Sequence, residues 1–252
     1  MDKLLSSKTI LITGGTGRLG QAFVRKALAA GARVYFTYFQ QAGEARTLAQ
    51  LGAEGFQLDL ADRPAMDRFA EMFKSQVPAL DVFIHNAAVS RDGMIQNMSE
   101  DDWNYVLNVN LKAPYYLTKE LLPVILPLRQ PKGAGKRGSP RKIFMVVSRM
   151  GLSGGYGASL YAAAKGGLIG LAKSLAAELG KRNILVNAIN PGFMESRMTE
   201  KVPQEVRERC LQESCLASFS NPEEVAEFIV YLCSDQMTQV TGQVLHFESR
   251  RN

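Results

Sequence analysis

The stretch Thr9-Ile10-Leu11-Ile12-Thr13-Gly14-Gly15-Thr16-Gly17-Arg18-Leu19-Gly20 joins a short apolar run to a glycine-rich turn. The β-branched run predicts a buried strand, and the apolar residues from Leu19 to Ala30 recur at helical spacing. Glycines between a first strand and a first helix let the backbone turn tightly and approach a pyrophosphate, whose charge the helix N-terminus stabilises. The position of this turn therefore favours dinucleotide binding over a tight turn without a ligand.

The same alternation of strands and helices continues along the chain. Further strands are predicted near residues 33–38, 54–58, 81–85, 142–148, 184–189 and 243–247. This alternation implies a parallel sheet that helices cover on both faces. We therefore predict an α/β fold, a single doubly wound Rossmann-type domain over residues 1–252 with a parallel sheet of about seven strands.

Composition argues against several other classes of protein. No apolar run approaches the roughly 18 residues of a membrane span, and the N-terminus lacks the apolar stretch of a signal peptide, so we expect a cytoplasmic protein without membrane contact. Three cysteines without a Cys-x-x-Cys pair and only two histidines predict that there is no metal site.

The net charge of +6 comes from one segment. Residues 129–142 carry six lysines and arginines and no acid, and they are rich in glycine and proline. This composition predicts an exposed, flexible basic loop. Since no aromatic residues are interleaved with the charges, we predict no nucleic-acid partner.

The end of the second predicted strand bears on cofactor choice. The sequence Thr37-Tyr38-Phe39 contains no acid, whereas many NAD-specific sites place a carboxylate there to bond the ribose hydroxyls. A carboxylate would repel a 2′-phosphate, so its absence permits NADP(H), and Arg18 could bind that phosphate. The alternative for Arg18 is a solvated surface side chain. The ends of the third and fourth predicted strands add two further candidate cofactor contacts, Asp59-Leu60 and Asn86-Ala87.

A tyrosine and a lysine are the candidate catalytic pair. Tyr161 and Lys165 are four residues apart in a helical segment that continues to Leu179, so they share one face. An ammonium group one turn away is expected to lower the pKa of a phenol, ordinarily near ~10, toward neutral pH. Ser148 ends a predicted buried strand, where open sheets place ligand-facing residues. Taken alone, the Tyr-x-x-x-Lys pair is also typical of an ordinary amphipathic helix.

The chain resembles the short-chain dehydrogenase/reductase family along nearly its whole length. The matching residues are Ser148, Tyr161 and Lys165, the glycine loop, Asn86-Ala87-Ala88, Asn110 and Asn190-Pro191-Gly192. Within that family the chain is most similar to the 3-oxoacyl-[acyl-carrier-protein] reductases. The resemblance implies NADPH-dependent reduction of a 3-oxoacyl thioester on acyl carrier protein, as in fatty-acid biosynthesis. The alternatives are reduction of a free small ketone (a sugar, steroid or pteridine) and a non-catalytic NADPH-binding protein.

The resemblance also implies a role for each matching residue. Tyr161 would pass a proton to the substrate oxygen that Ser148 holds, Lys165 would bind the nicotinamide ribose, and Asn110 would support a water in a proton relay. The predicted catalytic residues are Asn110, Ser148, Tyr161 and Lys165. The predicted NADP(H)-binding residues are Gly14, Thr16, Gly17, Arg18, Leu19, Gly20, Thr37, Asp59, Leu60, Asn86, Ala87, Tyr161, Lys165, Pro191, Gly192, Met194 and Ser196.

The resemblance further implies a homo-oligomer, with a tetramer favoured and the helices of residues 99–126 and 160–180 at its interfaces. An acidic carrier needs positive charge near the substrate entrance, and the candidates are Lys181-Arg182 and the basic loop 129–142.

Three features depart from the family pattern: Arg18 and Gly17 stand exchanged in the usual Gly-x-x-x-Gly-x-Gly loop, His85 and Ala88 replace Asn and Gly, and residues 246–252 lack a glycine pair.

Overall fold

A computed structural model describes residues 3–126, 138–196, 199–200 and 202–250. Its strands form one parallel sheet in the order β3-β2-β1-β4-β5-β6-β7, which confirms the predicted doubly wound fold. The strands are β1 Thr9–Ile12, β2 Arg33–Tyr38, β3 Glu54–Gln57, β4 Val82–His85, β5 Arg141–Val146, β6 Ile184–Asn190 and β7 Val244–His246. The strand order reverses between β1 and β4, and ligands of open parallel sheets bind at that point, outside the carboxyl ends of the strands.

Helices cover both faces of the sheet. They are α1 Arg18–Ala29, α2 Ala42–Gln50, α3 Arg63–Gln76, α4 Glu100–Leu107, α5 Ala113–Ile125, α6 Met150–Ser153, α7 Ser159–Leu179, α8 Gln204–Glu213 and α9 Pro222–Cys233. Successive side chains of a strand point to opposite faces, so Leu11 enters the core under α3, α5 and α7, while Ile10 and Ile12 enter the core under α1 and α9. In the described ranges, no helix is long and apolar enough to cross a bilayer.

The prediction that residues 129–142 form a flexible loop is wrong for the last two of them, and residues 129–137 lie outside the described residues. Arg141 and Lys142 are the first residues of β5, and Arg141 forms an ion pair with Asp81. Lys142 is buried, and its Nζ donates to the carbonyl oxygens of Leu232, at 2.8 Å, and Ser234. These carbonyls lie at the C-terminus of α9, where a positive charge offsets the helix dipole. Both charges therefore hold the strand in place.

The helical stretch from α4 to α5 contains a π-helix. Ser99 and Asp102 form a capping box at its start, and the five residues Asn108–Lys112 adopt π-helical geometry before α5 continues. A π-helical turn inside an α-helix is rare and often marks a functional site. Asn110 lies in this turn.

Candidate active site

One large cleft opens at the carboxyl ends of the strands and encloses about 1630 Å³. Its wall contains every residue predicted to bind the cofactor, from Gly14 on the glycine loop to Ser196 after β6, and it contains Ser148, Tyr161 and Lys165. Asn110 is not part of the wall. The structure therefore brings the predicted cofactor-binding residues and three of the four predicted catalytic residues to one site, whereas their individual roles stay predictions.

Three glycines of the loop, Gly14, Gly15 and Gly20, are required by close packing, and a Cβ on Gly15 would lie 2.5 Å from the Cβ of Phe36. Gly14 has φ +67°, and a Cβ there would lie 2.8 Å from the Cα of Ala87; a Cβ on Gly20 would lie 2.8 Å from the Cα of Gly15. A Cβ on Gly17 would meet nothing closer than 3.4 Å, and α1 begins at the next residue, Arg18. Because neither residue of the exchanged pair occupies a closely packed position, the departure from the family pattern leaves the tight turn intact.

Side chains at the ends of β1 and β4 hold this loop in place. The Thr13 hydroxyl accepts the backbone N–H groups of Asn86 and Ala87, both at 3.1 Å. In return, the Asn86 amide donates to the carbonyl oxygens of Thr13 at 3.1 Å and Gly14 at 3.0 Å. Sequence reasoning missed the role of Thr13, although a hydroxyl at the end of the first strand was a visible signal. Small Ala87 keeps the approach to Gly14 open.

The part of the cleft next to β2 suits a phosphorylated ribose. Arg18 is exposed on the cleft wall at the start of α1, and residues 37–41 carry no carboxylate. Thr37 is buried, and the Thr16 hydroxyl donates to the Gln41 side chain at 2.8 Å. Gln41 was not predicted from the sequence. A guanidinium and neutral amide and hydroxyl groups can bind a 2′-phosphate without repelling it.

The chemical end of the cleft lies where β5 meets α7. Ser148 follows β5, its hydroxyl hydrogen-bonds Tyr161, and its Oγ accepts the Met150 N–H at 3.2 Å. Lys165 is buried one turn along α7, with its Nζ 5.5 Å from the centre of the Tyr161 ring. That Nζ donates to the carbonyl oxygen of Val146 at 2.7 Å. A hydroxyl, a phenol and an ammonium group therefore converge on one wall.

The environment of these groups sets their protonation. Burial raises the pKa of Tyr161 to about 12, the negative charge of Asp92 raises it further, and the hydrogen bond with Ser148 acts in the opposite direction. Burial also lowers the pKa of Lys165 to about 8. The expected lowering of the Tyr161 pKa is therefore wrong for this arrangement, in which desolvation of the phenol outweighs the other effects. A phenol that stays protonated at neutral pH is a proton donor, which carbonyl reduction requires.

Asn110 lies behind the wall of the cleft. It is fully buried, its Oδ1 accepts the N–H of Val89 at 2.8 Å, and its Nδ2 donates to the Val89 carbonyl oxygen at 2.7 Å. The loop that it holds continues into Ser90, Arg91 and Asp92 of the cleft wall. Both polar ends of the amide are used by this loop, which gives Asn110 a positioning contact, while its predicted support of a water stays a prediction.

The other two departures from the family pattern include His85 and the C-terminal segment, and both make specific contacts in the structure. His85 is buried beneath the site, its Nε2 hydrogen-bonds the Thr118 hydroxyl at 2.8 Å, and its ring lies 4.0 Å from that of Phe83. Near the C-terminus, Arg250 pairs with Glu248 at 2.8 Å and contacts the Cys210 sulfur at 3.5 Å. The segment therefore packs on α8, which lines the cleft.

In the described part of the chain, no group of three or more His, Cys, Asp or Glu residues could hold a metal ion.

A glycine-rich loop at the switch point of a parallel sheet, facing a Ser-Tyr-Lys group across one cleft, defines a dinucleotide-dependent oxidoreductase. Comparison with known proteins gives the family. Residues 17–249 match the family model described as enoyl-(acyl carrier protein) reductase. The chain is 36% identical to a 3-oxoacyl-[acyl-carrier-protein] reductase of Thermotoga maritima and 34% identical to nodulation protein G of Rhizobium meliloti, each over 96% of both chains.

Among solved structures, the Pseudomonas aeruginosa RhlG/NADP active-site complex matches with a TM-score of 0.86 and 26% identity, over 99% of this chain and 98% of that one. The chain belongs to the short-chain dehydrogenase/reductase family. The predicted family, fold class and oxidoreductase class are therefore confirmed.

Proposed function

We propose that the protein reduces a 3-oxoacyl thioester on acyl carrier protein to the 3-hydroxyacyl form, with NADPH as the hydride donor. The observation that carries the proposal is the position of Ser148, Tyr161 and Lys165 in the same cleft as the glycine loop, with the Lys165 Nζ 5.5 Å from the centre of the Tyr161 ring. The similarity to a 3-oxoacyl-[acyl-carrier-protein] reductase supports this substrate. The chain is also similar to nodulation protein G, whose name specifies no substrate, and a free small ketone remains the alternative.

NADP(H) is the cofactor of this oxidoreductase, as predicted. The similar structure of RhlG holds NADP, and the chain offers Arg18 and a carboxylate-free turn after β2 for the 2′-phosphate. The closely packed Gly14 and Gly20, where a Cβ would collide, leave the backbone free to approach a pyrophosphate. When bound, NADPH supplies the hydride that reaches the carbonyl carbon.

The side chains of the chain supply the proton. Ser148 holds the carbonyl oxygen of the substrate by donating its hydroxyl hydrogen, and Tyr161 transfers its phenolic proton to that oxygen. Lys165, protonated below its pKa of about 8, stabilises the phenolate that Tyr161 becomes in this step. The hydride on carbon and the proton on oxygen together complete the hydroxyl group.

The Tyr161→Phe variant tests this mechanism. Since the phenol is the proton donor, we expect kcat with NADPH and acetoacetyl thioester to fall by at least ~10²-fold, the lower end for loss of general acid catalysis. The affinity for NADPH, measured by fluorescence titration, should change little. Tyr231→Phe, at a half-exposed position of α9, is the matched control. Near-normal turnover of the Tyr161 variant would remove the assigned role.

The predicted docking residues Lys181 and Arg182 lie far from the catalytic tyrosine of the same chain. Lys181 and Arg182 follow the 21 residues of α7, which at about 1.5 Å per residue places them about 30 Å from Tyr161. They therefore do not flank the entrance of the cleft in the same chain. Arg209 of α8 does line the cleft, and its ion pair with Glu213 is long, at 4.0 Å. We propose Arg209 as a contact for the acidic carrier.

Salt dependence and charge reversal distinguish the two substrate classes. If docking is electrostatic, activity on carrier-bound substrate should fall as ionic strength rises, while activity on a small thioester should respond far less. Arg209→Glu should raise KM for the carrier-bound substrate only, with Arg182→Glu as the control at the far end of α7. Equal salt sensitivity of both substrates and higher rates on a panel of free ketones would favour the free-ketone alternative.

We further propose a cytoplasmic homotetramer with α4, α5 and α7 at its interfaces. Trp103 on α4 and Tyr115 on α5 are 47% and 49% exposed, which is unusual for large aromatic side chains and typical of residues that a partner subunit covers.

A further inference from the structure

Two segments near the substrate end of the cleft carry exposed apolar side chains, and one of these side chains, Tyr156, lines the cleft itself. Tyr156, between α6 and α7, is 87% exposed, and Leu152 precedes it. Met94 and Ile95 follow Gly93, whose N–H donates to the carbonyl oxygen of Gly157 at 2.7 Å. This hydrogen bond joins the two segments. We name Met94, Ile95, Leu152 and Tyr156 the apolar rim.

The backbone presents Tyr156 to the cleft. Gly154 and Gly157 flank it with φ of +73° and +68°, values that residues with a Cβ rarely adopt. Tyr156 lines the cleft five residues before Tyr161, while Val202, Pro203 and Val206 line it from the start of α8. Apolar side chains therefore stand on two sides of the substrate end, among charged ones such as Glu205 and Arg209, and polar Ser148 and Tyr161 lie in the same cleft. A molecule that is polar at one end and hydrocarbon beyond it matches this distribution.

We propose that Tyr156 is a specificity-determining residue that covers the hydrocarbon chain of the acyl substrate and favours long chains over short ones. This inference rests on the proposed function, since it names the part of a 3-oxoacyl thioester that the rim would contact. Tyr156 lines the catalytic cleft together with Ser148 and Tyr161, which supports the acyl chain as its occupant. Each methylene removed from water adds to binding, so the preference grows with chain length until the chain passes the rim.

The experiment compares N-acetylcysteamine thioesters of 3-oxododecanoate and 3-oxobutanoate, with NADPH. For Tyr156→Ser we expect KM for the twelve-carbon substrate to rise at least about fivefold, which corresponds to about 1 kcal/mol. Because the chain contributes equally to the ground state and the transition state, kcat should stay unchanged. The four-carbon substrate should be unaffected. Tyr156→Phe should behave like the unmodified protein, and Tyr231→Ser, 45% exposed on α9, is the matched control.

Several results would overturn the inference. They are an equal loss on both substrates, a Tyr156→Phe variant as impaired as Tyr156→Ser, and a shift in oligomeric state by light scattering without any effect of chain length. The last result would mean that the rim contacts a second copy of the chain.

A binding measurement separates this inference from the proposed function. Dodecanoyl N-acetylcysteamine has no 3-oxo group and cannot be reduced, but its chain can still contact the rim. Calorimetry on the NADP⁺-loaded protein should show tighter binding of dodecanoyl than of butyryl thioester, and Tyr156→Ser should abolish the difference. Such binding without turnover of any 3-oxoacyl thioester would refute the proposed reaction and support the inference. Binding unchanged in the variant would refute the inference alone.

Discussion

Replacing His85, the buried histidine beneath the active site, should make the free energy of unfolding less dependent on pH in the acidic range. His85 lies at the end of β4, and burial together with the positive charge of Lys165 lowers its pKa from 6.5 to about 3. The folded protein thus keeps the ring neutral at pH values where the unfolded chain protonates it. The family usually has asparagine at this position, so His85→Asn is the natural substitution.

The size of the effect follows from the two pKa values. Because the folded pKa is the lower one, the contribution is complete above pH 6.5 and is lost as the pH falls toward 3. Between pH 7.5 and pH 5, linkage with these values gives a loss of about 2 kcal/mol in the free energy of unfolding. The His85→Asn variant carries no ionisable group at position 85. It should therefore lack this pH-dependent loss in the free energy of unfolding, whatever its stability at pH 7.5.

Urea unfolding followed by circular dichroism at pH 5, 6, 7 and 7.5 measures this difference. The free energy of unfolding of the unmodified protein should fall more steeply than that of His85→Asn, and the two curves should differ by about 2 kcal/mol in their change over this range. Parallel curves would refute the reasoning, as would a steep component that His246→Asn removes instead. Activity at pH 7.5 should survive in His85→Asn, since the ring hydrogen-bonds Thr118 of α5 behind the catalytic wall.

Three further outcomes are expected. Arg18→Ala should erode the preference for NADPH over NADH, chiefly through KM for NADPH, because the cation next to the 2′-phosphate is lost; full discrimination in kcat/KM would contradict this. Gly20→Ala should weaken NADPH binding or lower Tm, because its Cβ would collide with the glycine loop. Gly17→Ala should be nearly neutral in the same two measurements, fluorescence titration and thermal melting. Equal effects of the two substitutions would contradict the packing. Trp103→Glu should shift the mass in light scattering from tetramer to smaller species, and an unchanged mass would place the interface elsewhere.

Much of the fold and cleft was predictable because local signals repeat along the chain. The second strand was predicted with the bounds that Arg33–Tyr38 has, and the ends of the parallel strands bring Gly14, Asn86 and Ser148 together by topology alone. Such contacts depend on the order of the elements, which the apolar pattern reveals.

The errors have a different physical origin. Arg141 and Lys142 look like loop residues beside glycine, proline and other cations, but their partners are Asp81 and the end of α9, far away in sequence. The raised pKa of Tyr161 likewise depends on desolvation, which sequence spacing does not report. Distant partners and burial appear only when the tertiary structure is known.

The π-helix Asn108–Lys112 has a consequence for the effect of changing the length of this helix. A π-turn spaces its hydrogen bonds one residue wider than an α-turn, so it is what a single inserted residue leaves in a continuous helix. Val106 before the π-turn and Leu117 after it are both buried among apolar side chains. We expect deletion of one residue to restore α-helical spacing and to turn Asn110 away from Val89, so that the loop beside the substrate loses both hydrogen bonds that Asn110 makes with it.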